Sequence, residues 1–211
     1  MDNLYSKKYF NSSSEKNKKC FKTYLRFIDE TKINLKNKIL LDIGCGTGNF
    51  LDCLDNKVEK YGCDISEYAV GKCLKRNNKV FLLDLNVSSQ IPYSVSFDVI
   101  TMFDVIEHLV NFKNLEIIIK KKLKKEGIII ITTPNANSFL RFFFNGNAKY
   151  YCGEKDKTHR ILFTPYTLDF FLRRIGLKKI SLSTPYSFYF KNNNLTRRAL
   201  YGGQIFAIYK K

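Results

Sequence analysis

Short apolar runs of strand length alternate along the chain with longer stretches in which apolar residues recur at helical spacing. Several of these runs end at a glycine cluster or at an acidic residue. Strands that alternate with helices at this pitch are typical of a parallel sheet with helices on both faces. The pattern predicts strands at residues 39–43, 58–63, 80–83, 97–102, 128–132, 178–183 and 204–209.

The segments between the runs predict the helices and the domain plan. Residues 20–33 form an amphipathic pattern, and residues 104–124 also read as helical. A chain of 211 residues fits one core. We therefore expect one domain over residues 39–211, preceded by a basic segment and helix over residues 1–38 that act as a cap. Residues 135–164 interrupt the alternation and are expected to form a substrate lid.

Composition adds a strong positive charge. Lys and Arg number 36 against 19 Asp and Glu, a formal net charge of +17. Such a field favours anionic partners, although a drift toward AT-rich codons, which encode lysine, is the simpler explanation of the charge. The six cysteines form no C-x-x-C pair, no apolar run approaches the ~18 residues of a membrane span, and no secretory signal is visible at the start. These features predict a cytoplasmic protein with free thiols.

The sharpest motif is a glycine loop directly after the first predicted strand. Asp42 is followed by Gly44, Cys45, Gly46 and Gly48, so the chain must turn at once from a strand into a helix. Glycines allow positive φ and let the backbone approach a ligand closely. The spacing G-x-G-x-G is neither the dinucleotide G-x-G-x-x-G nor a P-loop.

Two acids follow at the ends of the next strands. Asp64 ends the second predicted strand, where a carboxylate can accept both ribose hydroxyls of an adenosine. Asp84 follows the third strand, where it can accept from an adenine amino group. A nicotinamide or nucleotide-sugar protein of the same fold remains an alternative.

This arrangement of motifs resembles class I S-adenosylmethionine-dependent methyltransferases. The resemblance covers residues 39–134 and a later helix and turn. It implies a Rossmann-like, doubly wound α/β fold with a seven-stranded, mostly parallel sheet whose last strand is antiparallel. It also implies S-adenosylmethionine as cofactor, bound by Asp42, Gly44, Cys45, Gly46, Gly48, Asp64, Ile65, Asp84, Leu85 and Phe103.

The chain has two histidines, and both fall near the expected chemistry. Asp104, Glu107 and His108 are spaced i, i+3 and i+4, so on a helical turn they would share one face. His159 in the predicted lid could join them. Carboxylates and imidazoles in one cluster can hold Mg²⁺ or Mn²⁺. The alternatives are a metal-free general base, His108 or His159 with Glu107 beside it, and a purely structural role.

The D-x-x-E-H element narrows the resemblance. It is similar to the E-x-x-E-H element of ubiquinone-biosynthesis O-methyltransferases and of Hen-type small-RNA 2′-O-methyltransferases, with Asp104 one methylene shorter than the family's Glu. It therefore implies four metal ligands, Asp104, Glu107, His108 and His159.

The expected reaction is O-methylation of a hydroxyl on a small molecule or glycan, with divalent metal as a further expectation. One alternative is methylation of an RNA ribose 2′-hydroxyl, and another is a non-catalytic adenosylmethionine-binding subunit. Aromatic residues interleave with cations at 141–144, 149–151 and 186–191. Such tracts can stack on RNA bases, seat the protein on a membrane surface that carries a lipid-linked substrate, or simply pack as a lid.

Overall fold

The structure is a computed structural model that describes residues 14–76, 79–138, 156–185 and 202–211. Most of the predicted lid over 135–164 and the aromatic tracts at 141–144, 149–151 and 186–191 lie outside these ranges. None of the described helices is long and apolar enough to cross a membrane.

The described residues build one seven-stranded sheet with the order β3-β2-β1-β4-β5-β7-β6. Strands β1 to β5 run parallel, and β7 is antiparallel to both of its neighbours. This arrangement confirms the predicted mostly parallel, doubly wound α/β sheet. The strands are β1 (Ile39–Ile43), β2 (Glu59–Asp64), β3 (Lys79–Leu82), β4 (Phe97–Phe103), β5 (Leu123–Pro134), β6 (Lys178–Ser183) and β7 (Gln204–Lys210).

Helices cover both faces of the sheet because each face carries its own apolar cluster. One cluster packs residues of the first three helices against the sheet, among them Phe27, Phe50 and Val70. The other does the same for the last two helices, through residues such as Ile118 and Leu168. The helices are α1 (Ser14–Glu30), α2 (Asn49–Cys53), α3 (Glu67–Leu74), α4 (Lys113–Lys122) and α5 (Pro165–Arg174).

Two predicted elements differ from the structure. The helical turn expected from residue 104 is wrong, because Asp104 has a φ of 55° and only a short 3₁₀ turn, Ile106–His108, precedes α4. Strand β5 begins at Leu123 rather than at residue 128. Leu123 pairs with Phe97 of β4, and the register then shifts, so that Val99 pairs with Ile128. The side chain of Lys124 also forms an ion pair with Asp98 of β4 at 2.9 Å.

The strand order indicates where on the sheet a ligand would bind. The chain passes from β1 outward to β3 and then returns to β4 on the other side of β1. Open α/β sheets bind ligands outside the carboxyl ends of their strands, at the point where the order reverses. Ile43 and Phe103 end β1 and β4 at that point, so the loops after them form the candidate site.

Candidate active site

The glycine loop after β1 is a tight turn held against β2. Gly44, Gly46 and Gly48 have φ values of 74°, 52° and 79°, a region that favours glycine. The N–H groups of Gly44 and Cys45 both donate to the carbonyl of Cys63, at 2.8 and 3.0 Å. A Cβ at Gly44 would lie 2.2 Å from Cγ2 of Val105. Hydrogen bonds and steric limits together fix the backbone as a narrow cradle.

Asp64 joins this loop to the start of α3. Its Oδ2 accepts the N–H of Gly46 at 2.8 Å, and its Oδ1 accepts the N–H of Ser66 at 2.9 Å. Burial raises the pKa of Asp64, and these N–H donors oppose that rise. The N–H of Ile65 is a further main-chain donor to this carboxylate. A carboxylate offers about four acceptor positions, so a ribose hydroxyl can still be accepted. Ile65 is half-buried beside it.

Asp42 lies beneath the loop. It is buried, and its Oδ1 accepts the hydroxyl of Thr101 on β4 at 2.7 Å. Burial raises the pKa of Asp42 to about 7, although the Thr101 hydroxyl opposes this change. The Cys45 thiol is also buried, so a contribution of that residue to ligand binding would come from its main chain.

The other residues of the predicted cofactor set border the same edge. The Asp84 side chain accepts the N–H of Asn86 at 2.8 Å in the turn after β3. Leu85 is buried, and its carbonyl accepts from the Asn114 side chain at 2.8 Å. Phe103 packs its ring against Tyr24 of α1 and Phe50 of α2, with centroids 4.7 and 4.8 Å apart.

A cavity of about 480 Å³ opens beside these loops. Its walls are formed by the ends of β4 and β5, the start of β7 and the C-terminal part of the predicted lid. Three carboxylates and one lysine are among its residues, so within the described residues the cavity is acidic despite the positive charge of the chain. The lining residues are Asp104, Glu107, Pro134, Asp156, Lys157, His159 and Gln204.

Glu107 is a fully buried carboxylate with one unpaired oxygen. Its Oε2 accepts the hydroxyl of Thr133 at 3.0 Å. Its Oε1 is buried and has no hydrogen-bond partner among the described residues. Burial, together with the nearby Asp104 carboxylate, raises the pKa of Glu107 well above its usual range. A buried, unpaired carboxylate oxygen is costly and usually has a functional reason.

The two histidines meet at this oxygen. His159 places Nε2 3.9 Å from Glu107 Oε1, and the rings of His108 and His159 are 4.7 Å apart. Ligand atoms of Glu107, His108 and His159 all lie within 4.8 Å of one another, which makes these residues a candidate group for a cation. Burial and the neighbouring His159 lower the pKa of His108 and so favour its neutral ring. Only the neutral imidazole has a nitrogen lone pair that can bind a metal ion or accept a proton.

Asp104 lies in the same cavity but outside the three-residue group. Its Oδ1 accepts the hydroxyl of Thr132 at 3.0 Å and also an N–H of Gln204. The residue is exposed at the cavity wall. The Tyr24 side chain of α1 is a further hydrogen-bond donor to this carboxylate. A role of Asp104 as fourth metal ligand stays a prediction.

Comparison with known proteins decides the family. A family model described as "Methyltransferase domain" matches residues 13–182. The chain belongs to this methyltransferase family. Solved structures of S-adenosylmethionine-dependent methyltransferases share its fold.

Three relatives illustrate the range of similarity. The methyltransferase is 27% identical over 158 residues to a ubiquinone biosynthesis O-methyltransferase from Azoarcus sp., a match that covers 71% of this chain and 68% of that protein. A methyltransferase structure from Archaeoglobus fulgidus has a TM-score of 0.65 at 22% identity and covers 96% of each chain. The methyltransferase domain of a bacterial CtHen1 protein has a TM-score of 0.61 at 18% identity and covers 92% of this chain and 99% of that domain.

The site also contains residues that sequence reasoning missed. Thr101, Thr133 and Thr158 each hold a carboxylate or imidazole of the predicted set. Thr101 and Thr133 lie in strands and Thr158 lies in a turn, where threonines are ordinary, so only the fold could reveal these three. Asp156 could have been proposed from the sequence, because it lies three residues before His159. In the structure it lines the cavity of the methyltransferase.

Proposed function

We propose that this methyltransferase methylates a hydroxyl group of a small molecule or glycan, with a divalent cation held by Glu107, His108 and His159. The observation that carries the proposal is the buried Glu107 Oε1, which faces His159 across 3.9 Å and has no hydrogen-bond partner among the described residues. A cation would satisfy this oxygen and bind neutral imidazole nitrogens, as Mn²⁺ or Mg²⁺ sites do.

The glycine loop and the acids beside it fit S-adenosylmethionine. The positive φ values of Gly44, Gly46 and Gly48 hold the main chain in a tight turn beside Asp64, which can accept ribose hydroxyls. S-adenosylmethionine supplies a methyl group on a sulfonium. A cation bound by Glu107, His108 and His159 would lower the pKa of the acceptor hydroxyl. The residues of the loop and of the cluster then fix the distance and alignment between donor and acceptor.

The cavity favours a neutral polyhydroxyl acceptor over a phosphate group. Asp104, Glu107 and Asp156 line it together with Lys157. Carboxyl oxygens accept hydrogen bonds from hydroxyls, and each carboxyl group that is ionised also repels an unshielded anion. The similarity to a ubiquinone biosynthesis O-methyltransferase also supports a hydroxyl acceptor.

Calorimetry provides the test. Mn²⁺ and Mg²⁺ are titrated into the protein with S-adenosylhomocysteine present, using wild type, Glu107→Gln and His159→Gln. Glu116→Gln is the matched control, because Glu116 lies on α4 and pairs only loosely with Lys120 at 3.9 Å. We expect saturable binding in wild type and in the control, and its loss in both site variants. Binding that survives in Glu107→Gln would refute the metal site.

Absence of cation binding in wild type, with methyl transfer to a hydroxyl intact, would instead make His159 or His108 the general base. A positioned base contributes about 10²–10⁴-fold to the rate. Methyl transfer would then fall in the histidine variants without any dependence on added metal.

RNA methylation at a ribose 2′-hydroxyl is the second candidate. The net charge of +17 supports it, as does the candidate cation group. RNA bound through phosphates loses affinity steeply as salt rises. Salt-insensitive or absent RNA binding would exclude this candidate and leave the small-molecule or glycan hydroxyl.

A further inference from the structure

Thr158 lies between a carboxylate and an imidazole at the edge of the cavity. Its Oγ1 is 2.6 Å from Oδ1 of Asp156 and 2.9 Å from Nδ1 of His108. The Thr158 N–H also donates to the same Asp156 oxygen, at 2.8 Å. The three side chains thus form a continuous hydrogen-bonded chain that ends on the His108 ring.

The direction of each hydrogen bond follows from the number of protons. Asp156 accepts both the N–H and the hydroxyl of Thr158 through one carboxylate oxygen. An ionised carboxylate can only accept hydrogen bonds. The Thr158 hydroxyl has one proton, which it donates to Asp156, so its oxygen must accept from His108. The main chain of Thr158 also forms a hydrogen bond with the His108 ring.

The segment that carries Thr158 is also fixed to the turn that carries His108. The N–H groups of Arg160 and Ile161 both donate to the carbonyl of Glu107, at 2.7 and 3.2 Å. The N–H of His159 donates to the carbonyl of Asp156 at 3.2 Å. The relative positions of both imidazoles therefore depend on this short stretch of main chain.

We propose that Asp156 and Thr158 are positioning residues that hold His108 as its Nδ1–H tautomer, so that Nε2 carries the lone pair. The inference rests on the proposed function, in which that lone pair binds the cation or accepts the proton of the substrate hydroxyl. Partners of this kind typically change metal affinity or activity by about 10–100-fold when they are removed. Asp156 and Thr158 themselves need not touch the substrate.

Nitrogen NMR reads the tautomer directly. The chain has two histidines, so a histidine-labelled sample gives two ring systems, and His159→Gln assigns them. The variants are Thr158→Val, which removes the hydroxyl at nearly constant shape, and Thr158→Ser, which keeps it. Thr31→Val is the matched control, because the Thr31 hydroxyl donates to the carbonyl of Ile28 at 2.6 Å at the end of α1.

We expect His108 of wild type to be protonated at Nδ1 and bare at Nε2. Thr158→Val should mix the tautomers and weaken Mn²⁺ binding about 10–100-fold, while Thr158→Ser and Thr31→Val should match wild type. A wild-type His108 protonated at Nε2 would overturn the proposal. An unchanged tautomer in Thr158→Val would overturn it as well. Should Thr158→Val fail to fold, the wild-type tautomer and Thr158→Ser still decide.

The two proposals fail separately. The tautomer is read without cation or acceptor, so a wild-type Nδ1–H tautomer together with no Mn²⁺ binding supports the hydrogen-bonded chain and refutes the cation. If the wild-type protein methylates no hydroxyl acceptor but shows the expected tautomer, the proposed reaction is refuted and the positioning role of Thr158 is not.

Discussion

Oε1 of Glu107 lies 3.9 Å from Nε2 of His159, although the two residues are far apart in the chain. Glu107 belongs to a 3₁₀ turn after β4, whereas His159 lies near the C-terminal end of the predicted lid. The main-chain bonds from Arg160 and Ile161 to the Glu107 carbonyl bring these segments together. The pairing leaves a buried carboxylate beside an imidazole, and it has consequences for stability as well as for chemistry.

Replacing Glu107 with glutamine should stabilise the metal-free protein at high pH. Burial raises the pKa of Glu107 in the folded state, so the wild type loses stability as pH rises through that pKa, and the amide does not. We expect Glu107→Gln to be more stable than wild type by about 1–3 kcal/mol at pH 9, with the difference shrinking toward pH 4. Urea unfolding at several pH values, with chelator present, measures it.

Glu116→Gln serves as the control for this comparison. Glu116 is partly exposed on α4, so its loss should change the free energy of unfolding by no more than about 0.5 kcal/mol. A Glu107→Gln variant that is less stable than this control at pH 9 would show that the buried carboxylate is compensated within the fold.

Alanine substitutions at three glycines should distinguish the effect of backbone strain on stability from the effect of steric contact. Gly44→Ala combines a φ of 74° with a Cβ 2.2 Å from Val105, so it should be the most destabilising and should weaken S-adenosylhomocysteine binding. Gly176→Ala has a φ of 93° with open space around it, and should cost about 1–2 kcal/mol from the left-handed backbone alone.

Gly71→Ala completes the glycine series. It lies inside α3 with no atom within 4 Å of an added Cβ, and should stabilise by about 0.5–1 kcal/mol because alanine favours helix. Thermal unfolding and ligand titration of the three variants provide the measurement. Equal ligand affinity in Gly44→Ala and Gly71→Ala would show that the loop is not a cofactor cradle.

The sequence predicts the sheet well because its signals are local. Most strands contain a short apolar run, and Ser66 and Thr164 cap α3 and α5 with their side chains. The site is less predictable because it depends on contacts between distant segments. Helical spacing grouped Asp104 with Glu107 and His108, but the left-handed Asp104 ends β4 and turns its carboxylate to Thr132 instead.

Asp64→Asn should weaken cofactor binding by loosening the glycine loop. Its two carboxylate oxygens accept the N–H groups of Gly46 and Ser66, and the N–H of Ile65 is a further donor. An amide offers a single acceptor oxygen. Losing a hydrogen bond to a charged group costs about 1.5–3 kcal/mol. We expect S-adenosylhomocysteine affinity to fall about tenfold or more, since ~1.4 kcal/mol is a factor of ten.

Asp55→Asn is the matched control for this variant. Asp55 also accepts a main-chain N–H, from Lys57 at 2.8 Å, but in an exposed turn away from the loop. Its substitution should leave the affinity unchanged. Calorimetric titration of both variants tests the prediction, and equal affinities would contradict a role of Asp64 in shaping the site.

Asp42 makes stability depend on pH in a defined direction. Burial raises the pKa of Asp42 from 3.8 to about 7, so between these values the folded state binds more protons than the unfolded chain. This contribution is fully present below pH 4 and is lost as pH rises to 7, with a slope of at most about 1.4 kcal/mol for each pH unit. Asp42→Asn should flatten the curve in that window, because an amide does not titrate while its oxygen can still accept from Thr101.

Asp98 supplies a control with the opposite sign. Partial burial alone would raise the pKa of Asp98, but the N–H of Ile39 and the ammonium of Lys124 lower it. Its contribution is present at neutral pH and is lost as pH falls through the lowered pKa. Asp98→Asn should therefore reduce stability at pH 7 and leave the slope between pH 4 and 7 as in wild type. If Asp42→Asn also leaves that slope unchanged, Asp42 is ionised throughout the window, and the buried carboxylate must receive more compensation than its Thr101 hydrogen bond provides.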